Sequence, residues 1–279
     1  MKLITSSENP ILKRAIGLKQ RKARERDGLY LVEGLHVCKE ALSVPEDIEM
    51  ILIRESLYNN SGDDENLREI TESINDGRAR GILLSDRLFD KFSETDTPQG
   101  IAALIKRRKW DNKAFIKGVN DSGGSNLLIL DRVQDPGNAG TLIRTAEAAG
   151  FYGIIAVKGT VDLYGPKAVR SAAGSILRQK VLFTDNAEDT VDLIHSFGKK
   201  LAVASPYSDS WHFRQALDRN VALVIGNEAG GASPDFLAKA DLLVKIPMAN
   251  TVESLNAAVA GGILMYESVR QNFQNQGKE

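Results

Sequence analysis

From residue 127 onward, the sequence contains short runs of continuous apolar residues. Continuous runs are typical of strands that are buried on both faces of a parallel sheet, whereas half-buried strands alternate. Helical patterns lie between them, at 139–149, about 166–178, 186–198, 233–240 and 254–270. This alternation predicts βαβ units and a doubly wound α/β domain over residues 126–279. The runs are LLILDRV, GIIAVKG, LAVAS, VALVIGN and LLVKIPM.

Residues 1–105 predict a second, smaller α/β domain, which agrees with a length of 279 residues. Residues 1–26 are basic and follow a helical pattern, and Gly28 stands where a helix-ending glycine is expected. Strand-like and helix-like stretches then alternate as far as TPQGIAALIK, which we interpret as a strand. Residues 106–125 are first charged and then rich in Gly, Ser, Asn and Asp, which indicates a linker.

Composition excludes several other classes of protein. Apolar residues make up 42% of the chain and charged residues 26%, which is ordinary for a globular protein. No apolar stretch is long enough to span a membrane, and the N-terminus lacks the apolar core of a signal peptide. The single cysteine, Cys38, fits a cytoplasmic location. With only His36, His195 and His212 beside it, we expect no metal site.

Charge is distributed unevenly along the chain, although the total is only −1. Residues 1–30 carry a net charge of +5 and residues 106–125 carry +4, whereas residues 31–105 carry −9. Basic patches of this kind bind phosphate backbones, but they also occur as solvated surface. Charge alone favours neither interpretation.

The common nucleotide-binding fingerprints GxGxxG and GxxxxGK[ST] are missing. Instead, polar segments follow three of the predicted strands, at the sheet edge where α/β proteins bind ligands. The first is LILDRVQDPGNAGTLIRTAEAAGF (128–151). We expect Asn138 to cap its helix and Arg144 to project from the side. The alternative is a surface arginine that pairs with Glu147.

The second segment is LVIGNEAGGASPDFL (223–237), in which Glu228 lies in a glycine-rich loop. This position suits ligand binding, although a solvated loop acid is equally compatible with the pattern. The third is VKIPMANTVESLNAAVAGGILMYESVR (244–270). Its Ser254 and Asn256 are candidates for ligand contacts or for ordinary helix caps. Gly261-Gly262 predicts close packing, because glycine is unfavourable in a helix interior.

Together, these three segments resemble the signature motifs of the SpoU/TrmH family of RNA ribose 2′-O-methyltransferases, which belongs to the SPOUT class. The resemblance covers residues 126–270. In the N-terminal part, NPILKRAIGLKQRKARERDGLYLVEG and TPQGIAAL look like the family's substrate-binding domain, which is similar to ribosomal protein L30e. The resemblance implies a parallel-sheet domain with a deep trefoil knot, S-adenosylmethionine as cofactor, and a homodimer.

The resemblance also implies roles for individual residues. KAVRSAAGS (167–175) resembles a further family segment near the target nucleotide. The implied catalytic residues are Asn138, Arg144, Glu228, Ser254 and Asn256. The implied cofactor-binding residues are Gly226, Ile246, Ser254, Leu255 and Asn256. The implied RNA-binding residues are Lys13, Arg14, Arg21, Lys22, Arg24, Arg144, Arg170 and Ser171.

The predicted reaction is transfer of a methyl group to a ribose 2′-hydroxyl of RNA, with large-subunit (23S) rRNA favoured by the L30e-like domain. A guanidinium stays protonated in proteins, so Arg144 is expected to stabilise developing alkoxide charge rather than to act as a base. Three alternatives remain at this point: a tRNA ribose methyltransferase, a base methyltransferase, and a non-catalytic RNA-binding protein on the same fold.

Overall fold

The computed structural model describes residues 1–60, 64–93, 95, 97–249 and 252–276. The chain forms two compact units. The first comprises Met1–Arg108 together with Tyr164–Arg178, and the second comprises Lys109–Leu163 together with Gln179–Glu279. The segment 164–178 thus packs with the first unit, although its sequence lies between two strands of the second.

The first unit is built on a mixed sheet. Its strands are β1 (Lys2–Ile4), β2 (Leu29–Glu33), β3 (Ile48–Arg54), β4 (Gly81–Leu84) and β5 (Ile101–Lys106). Their order is β1-β4-β3-β5-β2, in which β1, β4 and β3 run parallel and β5 is antiparallel to both of its neighbours. Ile51, Leu52 and Ile53 of the central strand are fully buried, so helices cover both faces.

The helices of the first unit include one from the distant segment. They are α1 (Pro10–Gly17), α2 (Arg21–Asp27), α3 (Leu35–Ala41), α4 (Glu55–Asn59), α5 (Glu65–Asn75), α6 (Asp86–Phe92) and α9 (Pro166–Ala172). Gly28 ends α2 in the left-handed conformation, with φ of 63°, as the sequence predicts. The distant segment is fixed by Tyr164, whose ring centroid lies 4.9 Å from that of Tyr30, and by an ion pair between Arg178 and Glu40.

The second unit is built on a fully parallel sheet. Its strands are β6 (Leu127–Leu130), β7 (Gly153–Val157), β8 (Lys180–Thr184), β9 (Lys200–Ala204), β10 (Val221–Ile225) and β11 (Leu242–Val244). The order is β11-β9-β10-β6-β7-β8. The chain winds outward from β6 through β7 to β8 and then crosses to the other half. The central pair β6 and β10 therefore marks the switch point at which such sheets bind ligands.

Helices cover this sheet. They are α7 (Asn112–Asp121), α8 (Pro136–Ala148), α10 (Ala187–Ser196), α11 (Pro234–Ala238) and α12 (Ala257–Gln276). Within the described residues, no helix combines the length and the apolar character that a membrane crossing requires. The α/β fold class predicted from the sequence is confirmed, and the trefoil knot stays a prediction.

Three local features differ from the sequence interpretation. Residues 1–26 are not one helix, because Ile4 pairs with Leu84 in the sheet and α1 begins only after Asn9. The predicted linker contains α7, which buries Phe115 and Val119 in the core of the second unit. The sequence analysis also missed β8. Each difference has a tertiary cause, namely a strand pairing or a core contact with residues distant in sequence.

Packing of α12 against α8 depends on one of the two predicted glycines. A Cβ at Gly261 would lie 2.3 Å from Cδ2 of the buried Leu142, whereas a Cβ at Gly262 would lie 3.9 Å from Thr145. We expect Gly261→Ala to lower the free energy of unfolding by about 1–3 kcal/mol. Gly262→Ala should raise it by about 0.5–1 kcal/mol, since alanine favours the helix. Urea unfolding measures both values, and equal effects would contradict this packing.

Lys199 is a buried lysine at the amino end of β9. Its ammonium donates a hydrogen bond to the carbonyl of Ser125, and burial lowers its pKa from 10.5 to about 8. Between these two values the unfolded chain binds more protons, so stability should rise with pH across that window. We expect Lys199→Met to remove this rise and to stabilise the fold at pH 7 by about 1–3 kcal/mol. Parallel curves of unfolding free energy against pH for the two proteins would refute this.

Candidate active site

The three polar segments singled out in the sequence meet at the carboxyl ends of β6, β10 and β11. A cavity of about 320 Å³ opens there, within the range of known ligand pockets, which begins at about 300 Å³. The glycine-rich loop 226–231 forms one wall, and the chain after β11 forms another. The apolar part of the lining includes Ile225, Val244 and Leu264.

The cavity brings together most of the predicted cofactor-binding residues. Gly226, Ile246, Ser254 and Leu255 all line it, whereas Asn256 does not belong to its lining. The lining combines apolar side chains with the carboxylates of Glu228 and Glu253, so it suits a ligand with both an apolar body and polar, positively charged groups. S-adenosylmethionine fits that description.

Gly226 shapes this cavity by a close backbone approach. A Cβ at this position would lie 2.2 Å from the backbone N of Ala232 and 2.2 Å from the carbonyl carbon of Gly231. The loop folds back in this way because Asn227 and Gly231 exchange backbone hydrogen bonds of 3.0 and 2.8 Å. Only glycine allows the loop to close against the end of β10.

Glu228 is the centre of a network that joins the three segments. Its carboxylate accepts hydrogen bonds from the backbone N–H groups of Gln134 (3.0 Å) and Asp135 (3.1 Å) and from Nδ2 of Asn138 (2.9 Å). Oδ1 of Asn138 in turn accepts a hydrogen bond of 2.9 Å from Nδ2 of Asn256. The side chain of Asn138 is therefore held between the other two segments.

The helix caps differ from the sequence prediction. Asn138 does not cap α8, because Asp135 is the N-cap and its side chain accepts from the backbone N of Asn138. Asn256 does cap α12, since its Oδ1 accepts from the backbone N of Ala258 (2.9 Å) and of Val259 (3.2 Å). Asn256 therefore does both: it caps α12 through Oδ1 and bonds to Asn138 through Nδ2.

The network keeps Glu228 ionised. Partial burial alone raises the pKa of this carboxyl, but the hydrogen bonds from Asn138 and from the backbone N–H groups of Gln134 and Asp135 outweigh it. The pKa is therefore lowered below its ordinary value. A carboxylate in this state accepts three hydrogen bonds and has no proton to donate at neutral pH.

Most of the chain matches known protein families. Residues 125–266 match the SpoU rRNA Methylase family, and residues 9–103 match an MRM3-like substrate binding domain. The chain belongs to the SpoU rRNA methylase family. The resemblance stated from the three motifs is confirmed, and so is the class of enzyme, a methyltransferase.

Named relatives of the SpoU family extend over almost the whole chain. The 23S rRNA (guanosine(2553)-2′-O)-methyltransferase RlmP of Bacillus subtilis (strain 168) is 33% identical, with 95% of this chain and 98% of RlmP covered. The AdoMet-bound rRNA methyltransferase from Sinorhizobium meliloti superposes with a TM-score of 0.83 at 27% identity, covering 97% and 98% of the two chains. The SpoU methyltransferase AviRb from Streptomyces viridochromogenes in complex with AdoMet gives 0.82 at 26%, covering 95% and 99%.

Arg144 lies apart from the network. It is exposed on the third turn of α8, on the side opposite the buried Leu142, Ile143 and Ala146. No hydrogen bond or ion pair joins its guanidinium to the residues that the structure describes.

Sequence analysis missed two residues that organise the site. Asp131, buried directly after β6, pairs with Arg132 and accepts a hydrogen bond of 2.6 Å from the backbone N of Ser233. Nδ2 of Asn227 donates to the carbonyl of Arg132 (2.9 Å). An acid placed immediately after the apolar run LLIL was the available signal, since buried carboxylates are seldom without a partner.

The residues implied in RNA binding all lie in the first unit, apart from Arg144. Lys13, Arg14, Arg21 and Lys22 are exposed on α1 and α2. Arg24 is not: it is buried, and its Nη1 donates to the carbonyls of Leu18 and Lys19, which closes the turn between α1 and α2. The prediction that Arg24 binds RNA is therefore corrected to a structural role. On α9, Arg170 is exposed and Ser171 is partly buried.

A conservative change at Glu228 tests the network. Glu228→Gln keeps the size of the side chain, but it places an amide N–H among three hydrogen-bond donors. We expect the turnover number to fall roughly tenfold to a hundredfold, because displacing a loop by about 1 Å is enough for such a loss. The comparison is Glu253→Gln, which alters another carboxylate of the cavity lining outside the network. Equal activities of the two variants would mean that the Glu228 network is not needed for turnover.

Proposed function

We propose that this protein transfers a methyl group from S-adenosylmethionine to a ribose 2′-hydroxyl of large-subunit (23S) rRNA. The observation that carries the proposal is that the second and third motifs line one cavity, while Asn138 of the first motif is hydrogen-bonded both to Glu228 and to Asn256. RlmP, whose name states this activity on 23S rRNA, matches the chain over both units. The matched substrate-binding domain supports rRNA as the substrate.

Backbone groups of Gly226, Ile246 and Leu255 would hold the cofactor, with Ser254 beside them. When bound, S-adenosylmethionine supplies a methyl group that is activated by a positively charged sulfur. Apolar side chains of the cavity, such as Ile225, Val244 and Leu264, would pack against the apolar parts of the cofactor. The Glu228 network fixes the loops on either side, so that the cavity is formed before any ligand binds.

Arg144 would act on the RNA. A ribose hydroxyl becomes nucleophilic as its proton passes to a water molecule or a phosphate oxygen, and negative charge then develops on its oxygen. A guanidinium stabilises that charge and also binds the adjoining phosphate through parallel N–H donors. Asn138, Glu228 and Asn256 would serve catalysis by position, since their polar atoms already bond to one another.

The first unit, Met1–Arg108 together with Tyr164–Arg178, would bind the RNA. Lys13, Arg14 and Arg21 form exposed ion pairs with Glu8, Glu49 and Glu25. Exposed pairs of this kind contribute little stability, so phosphates can replace the carboxylates. Lys22, Arg170 and Ser171 complete this surface. We place the activity in the cytoplasm, where rRNA and a reduced Cys38 are both expected.

The homodimer implied by the family is supported by α12. Its helical stripe of Val259, Ile263 and Tyr266 is exposed rather than packed in the core. The residues that pack inward on this helix are Ala257, Ala258, Gly261, Leu264 and Met265. An exposed apolar stripe is typical of a symmetric contact with a second copy. We propose that this face joins two protomers.

Transfer of labelled methyl groups from S-adenosylmethionine tests the function. The protein is incubated with separated, unmodified rRNA and tRNA pools, and the RNA is then digested with alkali. We expect label in alkali-resistant dinucleotides from 23S rRNA, because a 2′-O-methyl group blocks cleavage of the adjoining bond. Label in mononucleotides would mean base methylation, and label only in tRNA would overturn the choice of substrate.

A further inference from the structure

The loop between β9 and β10 presents two exposed aromatic side chains, of which Tyr207 lines the cavity. Tyr207 is 92% exposed and Phe213 is 47% exposed. Large aromatic residues are costly to expose to water unless a partner covers them. This loop belongs to none of the three motifs, so they assign it no role. What these rings contact is therefore a separate question.

Phe213 stands at the end of an ordered column. The ammonium of Lys245 lies 5.4 Å from the ring centroid of Trp211. The ring of Trp211 is nearly parallel to that of Phe213, at an angle of 14° and a centroid distance of 6.5 Å. His212 meets Phe213 edge-on at 5.2 Å. A cation, an indole and a phenyl ring thus stack in series, and the last ring is half exposed.

This column is held by hydrogen bonds on both sides. The backbone N of His212 donates to the carbonyl of Lys245 (2.9 Å), and the backbone N of Lys245 donates to the carbonyl of Ser210 (2.9 Å). On the other side, Nε2 of Gln271 donates to the carbonyl of Gln215 (2.8 Å). The exposed ring is therefore presented in a fixed position, and little conformational entropy is lost when it binds a partner.

The column is adjacent to the cavity. Ile246, the residue that follows Lys245, lines the cavity wall, and so do Ser205, Pro206 and Tyr207 at the start of the same loop. A nucleotide chain whose target ribose reaches this cavity must pass close to its rim. Tyr207 lies on that rim, and the column that ends in Phe213 is joined to the cavity wall through Lys245 and Ile246.

We propose that Phe213, at the end of this column, stacks on an unpaired base next to the methylated nucleotide, and that Tyr207 stacks on a second base. The proposal rests on the proposed function for the identity of the RNA. Stacking on aromatic rings accepts any base, because every base has a π-face. In this loop and at Lys245, the three cations Arg214, Arg219 and Lys245 stand against the two acids Asp209 and Asp218, a net charge of +1 that does not repel a phosphate chain.

Phe213→Ala tests the proposal in methyl transfer to an unmodified 23S rRNA transcript. We expect the KM for the transcript to rise roughly 5- to 100-fold, the range measured for loss of one base–aromatic stack. The affinity for S-adenosylmethionine and the mass in solution should not change. Phe213→Tyr keeps the ring and should restore the KM.

A matched control is Phe183→Ala on β8. That ring is 44% exposed, close to the value for Phe213, but β8 forms the opposite edge of the sheet. An unchanged KM in Phe213→Ala, or an equal rise in both variants, overturns the proposal. A halved mass of Phe213→Ala would instead assign the ring to a second copy of the chain. Weaker cofactor binding would assign it to the cavity wall.

Fluorescence separates this proposal from the proposed function. The chain has two tryptophans, Trp110 and Trp211. We expect the 23S transcript to quench the emission of the wild type, and Trp211→Phe, which keeps an aromatic ring in the column, to lose most of that quenching. Quenching without methyl transfer would refute 23S rRNA as the methylated substrate while supporting the stack. Methyl transfer without quenching of Trp211 would refute the stack while supporting the proposed function.

Discussion

Arg144→Ala should abolish methyl transfer while leaving S-adenosylmethionine binding nearly intact. The guanidinium is exposed on α8, outside the cavity lining, so its loss removes no contact that shapes the cofactor site. Removal of one group that stabilises developing negative charge costs roughly a hundredfold to a thousandfold in turnover number. Single-turnover transfer to the 23S transcript measures the loss, and calorimetry with S-adenosylmethionine measures the affinity.

Arg144→Lys is the informative control for charge. Lysine keeps the positive charge but lacks the planar pair of donors that binds a phosphate and an alkoxide together. We expect it to recover only a small part of the activity. If Arg144→Ala loses cofactor affinity, or if Arg144→Lys is fully active, the proposed role of the guanidinium is wrong.

Gly226→Ala should eliminate cofactor binding. The added Cβ would overlap the backbone at Gly231 and Ala232, and backbone atoms cannot move aside as a side-chain end can. The glycine-rich loop must therefore shift away from β10, and the cavity wall shifts with it. We expect no heat of binding with S-adenosylmethionine and no methyl transfer, in a protein whose circular dichroism spectrum still shows the α/β fold.

Gly230→Ala provides the matched control in the same loop. A Cβ at Gly230 would lie 3.7 Å from Oδ1 of Asn227, which is an ordinary contact. We expect this variant to bind S-adenosylmethionine with close to wild-type affinity. Equal loss in both variants would mean that a Cβ is harmful at either glycine, and that the close approach of Gly226 has no special importance.

The strands of the second unit were largely predictable from the sequence. LLIL at β6 and VALVI at β10 are continuous apolar runs because both faces of a central parallel strand are covered. β8 was missed because its Phe183 is exposed and the run KVLFT is short and mixed. An edge strand buries fewer apolar side chains than a central strand, so its sequence shows a weaker strand pattern.

The helical stripe of α12 shows the limit of periodicity. Val259, Ile263 and Tyr266 stand at i, i+4 and i+7, and they share one apolar face of α12. The structure exposes that face and packs the side with Gly261 against α8. Periodicity identifies a face but does not say what covers it, and a helix that meets another backbone closely buries its small residues instead.

The sequence by itself determined which residues follow each strand. They are the glycines of the loop at 226–231, Glu228, the capping asparagine Asn256 and the arginine on α8. Only the tertiary structure decided which of these groups are hydrogen-bonded to one another. Asn138 bonds to Glu228, 90 residues away, and to Asn256, 118 residues away. A hydrogen bond over such separations depends on the order of strands in the sheet, and no local pattern encodes that order.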